Sequence, residues 1–229
     1  MKFRIVGTTV PAVEVFFEQV GEEIITQSGG MAWMSDGISM TTDTNGGVLT
    51  GLGRMFAGES LFMARYKAVK AGATIAFATT MPGSIIPIKM KEHPNGLICQ
   101  KGAFLCSQSS VNLKVTFSKK FSSGLFGGEG FVLEKLSGSG TAFLEIDGDV
   151  VEKELKMGEV LKVDTGNIVA FQNGMSYEIE MVQGFKNILF GGEGLFLSKI
   201  TGPGKVILQT QNIKDFAGIL SRYIPECNR

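Results

Sequence analysis

One histidine, one tryptophan and three tyrosines are all that this 229-residue chain holds of those types. The single His93 excludes a metal cupin, which needs a cluster of histidines to hold its ion. It also leaves no Ser-His-Asp or Cys-His set that does not recruit this one residue. Beside Pro94, His93 reads as an exposed loop residue. A glycosidase working with carboxylates alone stays formally open, but it needs an aromatic-lined cleft, and one Trp with three Tyr supply little for one.

Three cysteines without CxxC spacing suggest a reducing compartment. Cys99 and Cys106 stand where a repeat described below has Val163 and Ala170, so both read as small core residues. Cys227 has nothing adjacent to lower its pKa. Net charge is also missing: 22 basic residues balance 22 acidic ones. No excess charge and no basic run draw phosphate backbones or anionic lipid to the chain. No apolar run approaches the ~18 residues of a membrane span. After Lys2 and Arg4 the apolar stretch is broken by Thr8, Thr9 and Pro11, so no signal peptide is read there. The expectation is a soluble, cytoplasmic protein.

Helical periodicity is scarce too. It occurs only near the C-terminus, where Ile213, Phe216, Leu220 and Tyr223 or Ile224 recur at helical spacing behind a capping Asn212, with Asp215 in the first turn. That helix reads as a lid over a sandwich end, or as a partner-docking helix.

What the chain has is glycine, 31 residues, and repetition. LFGGEG occurs at Leu125–Gly130 and at Leu189–Gly194, and a degraded copy, MFAGES, at Met55–Ser60. The copies lie 70 and 64 residues apart, which marks three similar β modules. A second half-motif, MGEVLKVDTGNIVAFQNG at Met157–Gly174, has a relative at Val20–Gly37 and a weaker one at Pro94–Cys106. The N-terminal segment thus has the second half and the C-terminal segment the first. A split repeat is expected, with residues 1–49 pairing against 185–210. The units would then be about 50–120, 121–184, and 185–229 completed by 1–49.

Short alternating runs bounded by Gly, Asp or Asn read as strands: Thr141–Ile146, Val160–Asp164, Ile168–Gln172, Tyr177–Val182 and Lys205–Thr210. Asp147–Gly148 signals a hairpin. Gly138-x-Gly140 and Gly202-x-Gly204 suggest bends where a strand turns a sheet corner.

The candidate sites are few. Glu59, Glu129 and Glu193 hold equivalent repeat positions and can converge to bind a cation. The simpler reading is that each carboxylate accepts N–H bonds from its own glycine-rich turn. GGEG lacks the GxxxxGK pattern of a phosphate loop. Trp33, with Met31, Met34 and Met40, forms an apolar patch of core or interface character.

Six motifs in order carry a resemblance: GEEIITQSGGMAWM, RMFAGESLF, Pro82–Gly83 with Ile85, GEGFVLEKLSGSG, GEVLKVDTGNIVAF and GEGLFLSKITGPGKVILQT. Over roughly residues 1–210 the chain resembles the altered inheritance of mitochondria protein 24 (Aim24-like) family, of prokaryotic type. That family is also described as having a tryptophan RNA-binding attenuator protein-like (TRAP-like) fold. The resemblance implies β-sandwich or double-stranded β-helix modules in an oligomer. Mitochondrial relatives are associated with inner-membrane organisation and respiratory function. It brings no catalytic residues, and no residue-level match to the tryptophan or RNA site of the fold's namesake is present.

The expectation is therefore one all-β domain, 1–229, with three modules in pseudo-threefold arrangement and a short C-terminal helix. Its function reads as a non-enzymatic oligomeric scaffold or binding protein without cofactor or metal. Its partner would be itself, as a homotrimer or larger ring. The alternative is a TRAP-like protein binding RNA or a small ligand.

Overall fold

The computed structural model describes residues 1–27, 30–43, 63–119, 131–181, 196–221 and 223. Four antiparallel sheets account for nearly all of them. The first runs in the order β1 (Lys2–Val6), β2 (Ala12–Phe16), β7 (Thr74–Ala78), β4 (Met31–Met34). The second runs β5 (Ile38–Asp43), β6 (Met63–Ala68), β3 (Glu23–Gln27), β10 (Phe104–Gln108), β13 (Thr141–Asp147), β8 (Gly83–Lys89). The third runs β11 (Val111–Lys119), β12 (Phe131–Gly138), β9 (Leu97–Gln100), β16 (Ile168–Gln172), β19 (Gly204–Gln209), β14 (Val150–Leu155). The fourth is β15 (Val160–Asp164), β18 (Phe196–Thr201), β17 (Ser176–Met181). The helix α1 (Ile213–Ser221) follows them.

Side chains alternate across a strand, and here both faces find a core. The first core joins Val13, Val15 and Phe77 of the first sheet to Ile24, Tyr66 and Phe143 of the second. The second core joins Ile88, Phe104 and Leu144 to Leu97, Cys99 and Val169 of the third sheet. The third core joins Ile98, Leu133 and Phe171 to Val163 and Ile200 of the fourth. On β13, Phe143 enters the first core while Ala142, Leu144 and Ile146 enter the second. The two six-stranded sheets thus lie between cores, which is why their central strands β9, β10, β13 and β16 are buried along most of their length. Each fully buried large side chain contributes about 1.5–3 kcal/mol. Cys99 and Cys106 are buried core residues, as their repeat positions imply.

The pairing pattern recurs every six strands. β2 pairs with β7, β8 with β13 and β14 with β19. In the same way β3, β9 and β15 pair with β6, β12 and β18. β4, β10 and β16 pair with β7, β13 and β19, each with a register shift at the equivalent place, Met31/Trp33, Phe104/Cys106 and Ile168/Ala170.

The recurrence groups the described strands as β2–β7, β8–β13 and β14–β19. Among the described residues no strand of 1–49 pairs with a strand of 185–210. β1 to β5 pair among themselves and with β6, β7 and β10, while β18 and β19 pair with β14 to β17. The repeated motif leads into β12 and β18, in the middle of a unit, so counting from it rotates the frame.

The Gly-x-Gly elements are sheet corners, as read. Gly138 and Gly140 have φ of +94° and +97° where the chain passes from β12 in the third sheet to β13 in the second. A Cβ on Gly138 would sit 2.5 Å from the Ser110 carbonyl oxygen, so a side chain is excluded by space as well as by φ. Asp147–Gly148 is not a hairpin, because β13 and β14 belong to different sheets. Its N–H groups go elsewhere: Asp147 donates to Gln209 Oε1 at 3.0 Å and Gly148 to the Pro82 carbonyl at 2.8 Å.

Candidate functional site

Where β8 ends, a short 3-10 turn, Met90–Glu92, swings the chain from the second sheet into the third. The turn leaves an open cleft of about 340 Å³ at the rim of the second core, within the size range of small-molecule sites. Its apolar lining includes Pro87, Ile88, Leu97 and Ile207. Its polar lining is Lys89, Glu92, His93, Glu152, Gln172 and Lys205.

Pro87 fits here because β8 is an edge strand, where a missing N–H breaks no ladder. Lys89 faces Glu92 at 3.9 Å. Gln172 Oε1 accepts the Lys205 backbone N–H at 3.4 Å. His93 is half-buried, not the exposed loop residue its neighbours suggested. Burial lowers its pKa, with Glu92 opposing and Lys205 adding to the shift, so the ring is neutral at pH 7. A neutral imidazole beside ammonium and carboxylate groups can hydrogen-bond a ligand in either sense.

A second polar feature, unforeseen in the sequence, lies between the second and third sheets. Glu134 of β12 is 0% exposed, and Gln27 of β3 donates through Nε2 to both its oxygens, at 2.9 and 2.8 Å. Burial raises this carboxyl to about 7, against the pull of Gln27 and Lys101. Cys99, its register partner on β9, is a fully buried thiol raised well above its usual value, by burial and then by Glu134. The pair is inert structural chemistry, since a buried high-pKa thiol is a poor nucleophile.

A third polar cluster surrounds a cavity of about 70 Å³ at the foot of α1. Asp147 accepts the Ile213 N–H at 3.1 Å, and Asn212 caps the helix by accepting the Asp215 N–H at 2.9 Å. Glu145 and Asp147 are both raised by burial first. Each already accepts a backbone N–H, so the cluster reads as the mooring of the helix.

Glu59, Glu129, Glu193 and Cys227 lie outside the described residues. Among the described residues no group of three or more His, Cys, Asp or Glu side chains can hold a metal ion. No helix among them is long and apolar enough to cross a membrane.

The apolar surface is more telling than the polar one. Trp33 is 47% exposed on β4, an edge strand, with Met34 beside it at 42%. It is therefore a surface residue, and Met40 on β5, an edge strand of the second sheet, is exposed as well. On α1 the residues Ile213, Phe216, Ile219 and Leu220 are exposed, and so is Tyr223 beyond it. Among the described residues the apolar side chains of the helix are left largely exposed.

Comparison with known proteins places these features in a family. The family described as mitochondrial biogenesis AIM24 matches residues 3–211. The protein M6_Spy0233 of Streptococcus pyogenes serotype M6, described as uncharacterised, is 31% identical over 224 residues, covering 94% of this chain and 87% of that protein. The crystal structure of SPYM3_0169 from Streptococcus pyogenes superposes with a TM-score of 0.79 at 27% identity, covering 97% of this chain and 99% of the other.

Proposed function

The chain belongs to the AIM24 family, and we propose that it works as a non-enzymatic oligomeric scaffold. The observation that carries this reading is the uncovered Trp33 and Met34 on an edge strand. Edge strands with large apolar side chains are pairing hazards unless another chain covers them. The acidic groups support the same reading, since the buried carboxylates Glu134, Glu145 and Asp147 each accept a hydrogen bond from the fold itself. Light scattering at micromolar concentration is expected to return a multiple of the 24.6 kDa chain mass. A single species of one-chain mass would end the proposal.

The cleft favours a second reading, a small-ligand binding protein. Lys89 and Glu92 neutralise each other, which leaves Lys205 and Glu152 as the cleft's unpaired charges among the described residues. The balanced lining suits a small polar molecule better than an RNA backbone. In calorimetry against a metabolite pool, a binder is expected to weaken at least about tenfold on Lys205→Gln, since an ionic hydrogen bond contributes about 1.5–3 kcal/mol. Binding unaffected by Lys205→Gln would exclude this cleft.

A further inference from the structure

The six-strand period contains a joint that the chain makes twice and leaves unmade once. Unit one is joined to unit two by β3 pairing with β10, and unit two to unit three by β9 pairing with β16. In these joints Ser107 lies opposite Ile25, and Phe171 lies opposite Ile98. By repeat position Phe171 corresponds to Ser107 and Ile98 to Ile25, so the two joints share one register. The strands left over are β15, the counterpart of β3 and β9, and β4, the counterpart of β10 and β16. Both are edge strands, and they belong to different sheets of the chain.

The leftover sheets are complementary halves. The second sheet reads β5-β6-β3 followed by β10-β13-β8, and the third reads β11-β12-β9 followed by β16-β19-β14. The fourth sheet, β17-β18-β15, supplies the first half of such an order. The strands β4-β7-β2 of the first sheet supply the second half.

We infer that chains associate head to tail, with β15 of one copy pairing antiparallel to β4 of the next, so that the two sheets join in the order β17-β18-β15-β4-β7-β2 with β1 added at the edge. This rests on the scaffold reading and specifies its interface. The shared register places Trp33 opposite Val163, Met34 opposite Lys162 and Ser35 opposite Leu161 of the neighbouring copy.

Three observations favour a second copy over an unrelated strand. First, β4 makes with β7 the same shifted pairing that β10 and β16, the strands of the completed joints, make with β13 and β19. Second, the counterparts of Trp33 are Cys106 and Ala170, both 0% exposed, so half-exposure of the largest residue at this position marks the absent half-sheet. Third, Trp33 against Val163 is an aromatic–β-branched cross-strand pair, a favourable kind. Such a joint uses different surfaces on the two partners, so it propagates until a ring closes.

The full chain tests this in a Cys227→Ser background, where the remaining native thiols, Cys99 and Cys106, are buried. One preparation carries Met34→Cys and another Lys162→Cys. Mixed and oxidised, they are expected to give a disulfide-linked pair, because Cα atoms opposite each other on paired strands lie within disulfide reach. Neither preparation alone is expected to cross-link. Trp33→Glu, at an exposed site, is expected to keep the β circular dichroism signal and weaken association at least about tenfold, as loss of an interface anchor does. A one-chain mass for the unaltered protein overturns both the scaffold and this joint. A multimer whose mixed thiols do not link, or whose single preparations link equally well, or whose mass survives Trp33→Glu, overturns the joint and leaves self-association standing.

Discussion

Glu134→Gln is expected to stabilise the fold by about 3 kcal/mol at pH 8 and to change it little below pH 4. Glu134 is fully buried between two sheets, where Gln27 donates to both its oxygens at 2.9 and 2.8 Å. Its carboxyl is raised from 4.5 to about 7, chiefly by burial. A folded-state pKa above the unfolded one means that the folded protein holds this proton more tightly. The stability it brings is complete below pH 4.5 and is lost as pH rises through about 7. At roughly 1.4 kcal/mol per unit, the loss comes to about 3 kcal/mol. Glutamine fills nearly the same volume, stays neutral throughout and can bond the Gln27 amide. Urea unfolding of both proteins from pH 4 to pH 8 decides the matter. The difference between the two curves should open across that interval, and parallel curves would show that the carboxylate is not penalised.

Glu134 also shows why part of this molecule was hidden in its sequence. In the run Phe131–Leu136 the residues Phe131, Leu133, Glu134 and Leu136 are all buried, so alternation offers no wet face on which to place an acid. Strand positions were readable because glycine corners bound them. Thr141–Ile146 and Val160–Asp164 match β13 and β15 within one residue, and Asn212 caps the helix as expected. Sheet membership was less readable, since an Asp-Gly turn such as Asp147–Gly148 looks the same whether the strands on either side pair or part. His93 shows the same limit in the cleft. Its neighbours in sequence are polar and turn-forming, and only the path of the Met90–Glu92 turn lays it against Lys205, more than a hundred residues away. Trp33 was legible as apolar. Its role as an open joint was not, because the completed joints put Cys106 and Ala170 in its place, small residues that sequence reads as ordinary core.

Alanine at Phe143 and alanine at Leu144 are each expected to cost several kcal/mol, although the two residues are neighbours on one strand and point to opposite faces. Phe143 lies in the first core, where its ring meets Phe3 edge-on at 4.8 Å. Leu144 is fully buried in the second core with Ile88 and Val169. Loss of the ring should cost about 3–5 kcal/mol and loss of the leucine about 2–5 kcal/mol, because both vacancies lie in close-packed surroundings. In a sheet with one solvated face, one of the two substitutions would fall within about 0.5 kcal/mol of neutral. Urea titration of the two single variants separates these cases. Total stabilities are about 5–15 kcal/mol, so either change should move the midpoint far enough to read clearly. Two large losses are the signature of a strand shared between cores. A near-neutral result at either position would mean that one of the central sheets faces water.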